Sequence, residues 1–216
     1  MANVKDLRKR IKAVKNTEKI TKAMKMVAAS KLRRAQAAIM QARPYATKMD
    51  EVLADIVNHA DVSAHPLLSL RKPRKVLLVV MTSNRGLCGG FNSTIIRSAE
   101  RYIREEGSAF DNIQVATIGR KGREHFVRRG FDLKGTWEDI WDDLTFEQAE
   151  GIATDLAARF TGAQLDAVYL LYNEFKSAIS QIVRLKQLLP IRPLEGWEED
   201  ERVRDGEMAA APQLPL

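Results

Sequence analysis

The segment that most resembles a reaction site in this sequence is a glycine-rich loop. It follows the apolar run Lys75 to Met81 and contains Arg85, Gly86, Cys88, Gly89 and Gly90. Glycines between a strand and a helix can place backbone N–H groups around a phosphate. The loop matches neither GxGxxG nor GxxxxGK[ST], and no lysine follows the glycines to reach a phosphate. We therefore predict tight backbone packing at the edge of a sheet, with nucleotide binding as the less favoured alternative.

The other reactive side chains do not form a catalytic set. The single cysteine, Cys88, has Arg85 as its nearest charged neighbour in the sequence, which favours a buried, unreactive thiol over a nucleophile. The three histidines, His59, His65 and His125, lack the spacing of metal ligands. One cysteine cannot form an internal disulfide, so nothing demands an oxidising compartment. The sequence predicts no catalytic residue, no metal and no cofactor.

Charge is distributed unevenly along the chain. The net charge is +7, and the first 34 residues hold twelve basic residues against two acidic ones, whereas residues 195–207 are mostly acidic. A basic segment of this kind usually meets an acidic partner, which can be a phosphate, a lipid headgroup or a protein surface. The longest apolar run, Val76 to Met81, is far too short to span a bilayer. We expect membrane association only through partners.

Residues 3–60 have the pattern of one long helix. They contain no glycine and only one proline, Pro44, which predicts a bend rather than a break. Apolar residues recur at alternating steps of three and four, which is typical of a coiled-coil seam. The members of this seam are Leu32, Ala35, Ile39, Ala42, Ala46, Met49, Leu53 and Ile56.

The length of this helix has an architectural consequence. About 55 residues of helix span roughly 80 Å, whereas a compact chain of this size has a diameter of roughly 45 Å. The helix is therefore expected to project from the globular part, and its seam is expected to need a partner helix. A basic surface helix within a helical bundle is the alternative.

From residue 74 onward, strand patterns alternate with helical ones. Strands are predicted at 75–81, 113–118 and 166–172, with extended stretches near 131–133 and 180–189. Helices are predicted from Asn92 or Ser93, as the N-terminal cap, to about 106, then from the segment Gly119-Arg120-Lys121-Gly122 to about 129, and at 145–161. This alternation predicts the α/β class with a mostly parallel sheet. The expected domains are a shaft helix at 1–62, an α/β domain at 63–194 and an acidic connector at 195–216.

Several motifs together resemble the gamma-subunit family of the F-type ATP synthases. They appear in family order across residues 1–195, and the most specific pair is ITKAMKMVAASK at 20–31 with RGLCGG at 85–90; Arg43-Pro44-Tyr45 and His65-Pro66-Leu67 accompany them. The resemblance implies a central rotor shaft inside a hexamer of alpha and beta subunits. It also implies an α/β domain beside the epsilon subunit and the proteolipid c-ring. Catalytic nucleotide sites in that family lie on the beta subunits, so this chain is expected to be a non-catalytic subunit.

The resemblance also implies partner contacts and a location. The residues expected to face the acidic lever segment of the beta subunit are Lys19, Lys22, Met24, Lys25 and Met26; a solvated helix face is the alternative for them. The loop that contains Arg85, Gly86, Cys88, Gly89 and Gly90 is expected to be a subunit contact or a structural element. The implied location is the cytoplasmic face of a bacterial inner membrane, as a peripheral component. No nucleic acid is expected as a partner.

One departure from the family and one rival function remain. Family members continue past the equivalent of Leu216 with a second long helix, so the chain is expected either to be truncated or to work without that helix. The rival is a nucleic-acid-binding protein with a basic helical arm, which the sequence pI of about 9.6 would suit. The absence of aromatic residues from the first 44 positions, together with the apolar seam, argues against this rival.

Overall fold

The computed structural model describes residues 3–59, 65–141, 144–177 and 180–191. The chain divides into two compact units, Met1–Leu53 and Ala54–Leu216. The predicted acidic connector at 195–216 lies outside the described residues. Among the residues that the structure describes, no helix combines the length and the apolar character needed to cross a membrane.

Helix α1 (Val4–His59) confirms the predicted long helix and passes Pro44 without interruption. Asn3 begins it, because its Oδ1 accepts a hydrogen bond from the Lys5 amide at 3.1 Å. Nearly every residue of α1 as far as Leu53 is exposed. The last turns belong to the second unit, where Ala54 and Val57 are buried.

The second unit contains one five-stranded sheet with the order β3-β2-β1-β4-β5. Its strands are β1 (Lys75–Met81), β2 (Asn112–Ile118), β3 (Leu133–Trp137), β4 (Ala167–Phe175) and β5 (Gln181–Leu189). Strands β1 to β4 are parallel, and β5 pairs with β4 in the antiparallel direction. The α/β class is confirmed, although β3 begins where the predicted stretch at 131–133 ends.

Three helices connect the parallel strands: α2 (Phe91–Glu106), α3 (Arg120–Arg128) and α4 (Phe146–Thr161). Thr145 and Gln148 form a capping box at the start of α4. The prediction that Asn92 or Ser93 caps α2 is wrong, because Gly90 occupies the cap position and no side chain caps this end. The Asn92 side chain turns instead to Ser83, at the end of β1.

The hydrophobic core lies on both faces of the sheet. Alternate β1 residues, such as Val76 and Leu78, pack with α2 and α3 on one face. Their neighbours, such as Leu77 and Val79, pack with α4 on the other. The connections β1-α2-β2 and β2-α3-β3 are both right-handed and move across the sheet in the same direction, so α2 and α3 lie on the same face. The connection β3-α4-β4 moves in the opposite direction across the sheet, so α4 lies on the other face. This arrangement brings the carboxyl ends of β1 and β2 and the starts of α2 and α3 to one edge.

Candidate interaction surfaces

The apolar seam of α1 is exposed along its length. Leu32, Ile39, Met49 and Leu53 expose between 37% and 40% of their surface, and Ile56 exposes 54%. These values are high for large apolar side chains arranged in a continuous line, because such side chains are normally buried. The seam is therefore a surface that could accept another helix.

The five predicted contacts near residue 22 lie on two sides of α1. All of them are exposed, including Met24 at 51% and Met26 at 66%. Residues four apart share a helix face, so Met26 lies beside Lys22, whereas Met24 is two residues from Lys22 and faces away from it. Met24 is instead eight residues before Leu32 and continues the line of the seam. Lys19, Lys22, Lys25 and Met26 thus form a basic stripe that borders the seam at Lys25, which lies two helical turns before Leu32.

The loop between β1 and α2 is exposed from Arg85 to Gly90. The prediction of tight backbone packing is wrong for Gly86 and Gly89, because a Cβ atom added at either position would meet nothing within 4 Å. Gly89 has a φ of 59°, a conformation that favours glycine. At Gly90 an added Cβ would approach Thr94 Oγ1 to 3.3 Å. Conformation rather than close packing therefore explains the glycine at position 89.

Cys88 is exposed, so the prediction of a buried thiol is wrong. Its Sγ lies 3.2 Å from Asn92 Nδ2 and 3.8 Å from the Arg85 carbonyl oxygen. One contact comes from the loop and the other from the first turn of α2. The thiol is therefore part of the hydrogen-bonded turn that closes the loop.

Asn92 and Ser83 hold the two ends of this loop together. The Ser83 amide donates to Asn92 Oδ1 at 3.0 Å, and Asn92 Nδ2 donates to Ser83 Oγ at 2.9 Å. Asn92 Nδ2 also donates to the Arg85 carbonyl at 3.2 Å, and Ser83 Oγ donates to the same oxygen at 2.6 Å. The side chain of the first polar residue in α2 thus fixes the conformation of the loop before it.

The segment Thr82-Ser83-Asn84 also supplies the hydrogen-bond acceptors for the start of α3. Thr82 Oγ1 accepts from the Gly122 amide at 2.8 Å, the Ser83 carbonyl from the Lys121 amide at 3.1 Å, and Asn84 Oδ1 from the Arg120 amide at 2.9 Å. These groups replace the missing side-chain cap at Gly119. The first amides of α3 are therefore occupied by protein atoms and are not available to an anion.

Sequence analysis did not identify the tight contact beneath α3. Gly119 has a φ of 97°, and a Cβ atom there would lie 2.1 Å from the Thr82 carbonyl oxygen. Gly122 is also close, since its added Cβ would lie 3.0 Å from Thr82 Oγ1. The sequence Gly-Arg-Lys-Gly after a strand was the available signal, but only the register of β1 with β2 shows which residue lies against these glycines.

The carboxyl edge of the sheet between β1 and β4 is the place where doubly wound folds usually bind ligands. Here Asn173 Nδ2 donates to the Phe91 carbonyl at 3.4 Å, which links the end of β4 to the start of α2. Within the described ranges, no group of three or more His, Cys, Asp or Glu side chains could hold a metal ion. The polar residues described at this edge therefore form their hydrogen bonds mainly with one another.

Several ion pairs of the second unit link neighbouring elements. Glu100 of α2 lies 2.9 Å from His125 Nε2 and 3.5 Å from Arg129 Nε, both in or next to α3. Glu174 lies 2.7 Å from Lys176 Nζ and 2.8 Å from Arg184 Nε. Partial burial tends to raise the pKa of Glu174, but hydrogen bonds from Lys176 and Arg184 outweigh this effect and lower the pKa below its usual value. Burial raises the pKa of Tyr102.

Comparison with known proteins identifies the family. A family model described as ATP synthase matches residues 3–213. The chain is 48% identical over 200 residues to the ATP synthase gamma chain of Geobacter metallireducens, covering 93% of this chain and 69% of that one. It is 47% identical over 194 residues to the gamma chain of an Anaeromyxobacter species, covering 88% and 67%.

Solved structures agree with these sequence relatives. The central stalk and c-ring structure of the Tetrahymena thermophila mitochondrial ATP synthase contains a chain with a TM-score of 0.63 and 35% identity, covering 79% of this chain and 72% of that one. A rotor chain of the Euglena gracilis mitochondrial enzyme has the same TM-score at 20% identity, covering 98% and 71%, and shares the fold. The chain belongs to the ATP synthase gamma chain family, which confirms the resemblance seen in its motifs.

Proposed function

We propose that the chain is the rotor shaft of the central stalk in a bacterial F-type ATP synthase. In this role it carries rotation between the proteolipid c-ring and the hexamer of alpha and beta subunits, next to the epsilon subunit. The observation that carries the proposal is the exposed helix α1, which has an apolar seam on one side and a basic stripe on another. The family membership supports the same role.

The asymmetry of α1 suits a rotor physically. A turning shaft must present different surfaces to chemically similar subunits in succession, so that each subunit meets the charged side at a different time. The basic stripe provides such a difference, because Lys19, Lys22 and Lys25 would attract an acidic lever segment on the beta subunit. Each rotation step would then change the free energy of one subunit's open and closed states, which is how a contact drives a conformational change.

In this proposal the chain contributes no catalytic residue, and nucleotides bind on the beta subunits. The loop after β1 has no lysine that could reach a phosphate, and the first amides of α3 already bond to protein acceptors. The proposed location is the cytoplasmic face of the inner membrane, reached through the c-ring. Equilibrium dialysis of the purified chain with ATP and magnesium should show no tight binding, and tight binding would contradict this part of the proposal.

The basic stripe can be tested by reversing its charge. We expect the parent chain to co-purify with alpha and beta subunits of the same organism when the three are co-expressed. The triple variant Lys19→Glu, Lys22→Glu, Lys25→Glu should bind the hexamer at least tenfold more weakly, because charges that attracted an acidic partner would then repel it. Pull-down and sedimentation of the co-expressed subunits measure this.

A matched control changes the same net charge elsewhere on α1. The triple variant Lys5→Glu, Lys9→Glu, Lys12→Glu should affect binding less than the stripe variant. Circular dichroism of both variants checks that α1 remains helical. Equal loss of binding in the two triples would show that general charge, rather than the stripe, attracts the hexamer, and failure of the parent chain to associate would contradict the proposed function.

A further inference from the structure

Three large apolar side chains are exposed close together at the start of α4. Trp141 exposes 37% of its surface, Leu144 66% and Phe146 74%. A single exposed apolar residue is ordinary on a folded protein, but a group of them is typical of an interaction site. These three residues belong neither to the seam of α1 nor to the loop between β1 and α2. They therefore indicate a separate surface.

The N-terminal cap of α4 fixes the backbone that carries two of these side chains. Thr145 is the cap residue, with an extended backbone (φ −109°, ψ 162°), and forms the capping box with Gln148. Leu144 and Phe146 are the residues directly before and after Thr145. The residue before a cap often packs against the fourth residue of the helix, which here is Ala149. Because Ala149 is small and itself exposed, Leu144 remains exposed as well.

The apolar surface continues along α4. Ala149 and Ala153 follow Phe146 at steps of three and four residues, so the three residues share one helix face, and all of them are exposed. This line extends over about two helical turns, or roughly 11 Å. The two alanines allow another helix to approach α4 closely, because the distance between packed helices depends on the side chains at their contact. The shape of this face therefore suits a helix.

The charge around this face is negative. Residues 135–158 contain seven acidic residues and no lysine, arginine or histidine, although the net charge of the whole chain is +7. On α4, neither Glu147 nor Glu150 forms an ion pair with another residue that the structure describes. Glu150 is four residues after Phe146 and lies beside it on the helix surface. Carboxylates next to exposed apolar side chains favour a partner that is both basic and apolar.

We propose that this part of the chain binds a basic amphipathic helix of a partner protein. The residues of the surface, called here the α4 surface, are Trp141, Leu144, Phe146, Glu147, Ala149, Glu150 and Ala153. The apolar side of the partner helix contacts Leu144 and Phe146, while its lysines or arginines pair with Glu150 and lie against the ring of Trp141. A membrane with anionic lipids suits the surface less well, because its headgroups would be repelled by the carboxylates. The inference goes beyond the proposed function, which depends on α1, and does not rest on it.

The test uses the full chain and a peptide of defined chemistry. The probe is a fluorescein-labelled peptide of about 18 residues, made of leucine, alanine and lysine, whose helix has the leucines on one face and the lysines on the other. The double variant Leu144→Ser, Phe146→Ser should bind it roughly tenfold or more weakly than the parent chain, because both apolar contacts are lost. Fluorescence anisotropy measures the affinity, and circular dichroism checks that the variant is folded.

Two matched controls separate the α4 surface from general effects. The variant Leu70→Ser, Val127→Ser removes two apolar side chains that are each 55% exposed elsewhere in the second unit, and it should bind the peptide as the parent does.

A second pair of variants tests the carboxylates. Glu147→Gln with Glu150→Gln should weaken binding at low salt, and the difference from the parent should shrink at high salt because charge attraction is screened. Asp6→Asn with Glu18→Gln removes the same charge from exposed positions of α1 and should leave the affinity unchanged.

Several results would overturn the inference. One is failure of the parent chain to bind the peptide, and another is equal affinity of the parent and the Leu144→Ser, Phe146→Ser variant, as expected if the peptide binds the seam of α1. If the parent sediments with phosphatidylcholine vesicles and this variant does not, the surface binds lipid. If the parent self-associates and this variant does not, the surface binds a second copy of the chain. None of these measurements involves the alpha or beta subunits, so the proposed function would stand in each case.

Discussion

Gly119 shows at the scale of one residue how the carboxyl edge of the sheet is assembled. Its backbone passes so close to the Thr82 carbonyl that a Cβ atom would lie 2.1 Å away. Gly130 has a similar positive φ of 81°, but an added Cβ there would meet nothing within 4 Å. Alanine substitutions at the two positions therefore distinguish the cost of an unfavourable backbone conformation from the cost of a steric clash.

We predict that Gly119→Ala destabilises the chain much more than Gly130→Ala. Gly130→Ala should lower the free energy of unfolding by about 1–2 kcal/mol, the cost of a left-handed alanine. Gly119→Ala should cost about 3 kcal/mol or more, because β1 and β2 must separate locally. Urea denaturation of the two variants measures the difference, and equal losses would contradict the clash.

Thr82 is the second residue on which this edge depends. It is fully buried, and its hydroxyl accepts from the Gly122 amide while lying 3.2 Å from the Ile118 carbonyl oxygen. Thr82→Val keeps the shape but leaves a buried amide without an acceptor. We predict a loss of about 1–3 kcal/mol in the free energy of unfolding.

The exposed Thr154 on α4 offers a control for Thr82. Thr154→Val should change stability by no more than about 0.5 kcal/mol, as is usual for surface substitutions. Thermal or urea unfolding of both variants is sufficient. Stability of Thr82→Val close to that of the parent would show that α3 does not depend on this hydroxyl.

At the scale of elements, the β4–β5 hairpin carries a pH-dependent contribution through Glu174. Its carboxylate pairs with Lys176 and Arg184, and these hydrogen bonds lower its pKa despite the opposing effect of burial. A group with a lowered pKa in the folded state stabilises that state above the pKa of the unfolded chain. This stabilisation disappears as the pH falls through the folded pKa.

We predict that Glu174→Gln is less stable than the parent at neutral pH and that the difference shrinks as the pH falls below about 4.5, the ordinary glutamate value. Unfolding curves recorded at a series of pH values measure this. Glu150→Gln removes a carboxylate from the exposed surface of α4 and controls for net charge. If the free energies of unfolding of Glu174→Gln and the parent differ by a constant amount across the acid range, the ionisation of Glu174 is not coupled to folding.

At the scale of the whole molecule, the exposed seam of α1 should determine how the 216-residue chain behaves alone. At about 25 cal/mol per Å², covering roughly 300 Å² of apolar seam would contribute roughly 7 kcal/mol before the cost of association. We predict that the purified chain either associates through this seam or frays toward its N-terminus while the sheet remains folded. Sedimentation and circular dichroism distinguish these outcomes from a stable monomer with an intact helix, which would contradict the prediction.

Neighbouring residues on α1 provide a matched test of the seam. Ile39→Ser with Leu53→Ser removes two seam side chains and should abolish association. Met40→Ser with Val52→Ser removes two exposed side chains, at 74% and 51%, that stand next to the seam but outside it. This second pair should associate as the parent does, and equal effects of the two pairs would show that the contact is not confined to the seam.

Local patterns in the sequence determined the elements of this protein. The helix of α1 follows from its composition and from the three-four spacing of its apolar residues, and β1 follows from a short continuous apolar run, because both patterns depend only on neighbouring residues. The motif resemblance found the family for the same reason. Helix spacing alone also separates Met24 from the stripe around Lys22, since their relation depends only on helix geometry.

Tertiary structure decided the roles of the residues at the carboxyl edge. Cys88 is exposed, Asn92 closes a loop instead of capping a helix, and Thr82, directly after β1, accepts a hydrogen bond from an amide at the start of α3. These roles depend on segments up to 40 residues apart that the parallel pairing of β1 with β2 brings together. The need for glycine at position 119 and the left-handed backbone conformation of Leu87 follow from the same pairing. In both cases the backbone conformation depends on where the two ends of the loop are held. The order of residue types along the chain does not specify how far apart these two loop ends lie in space.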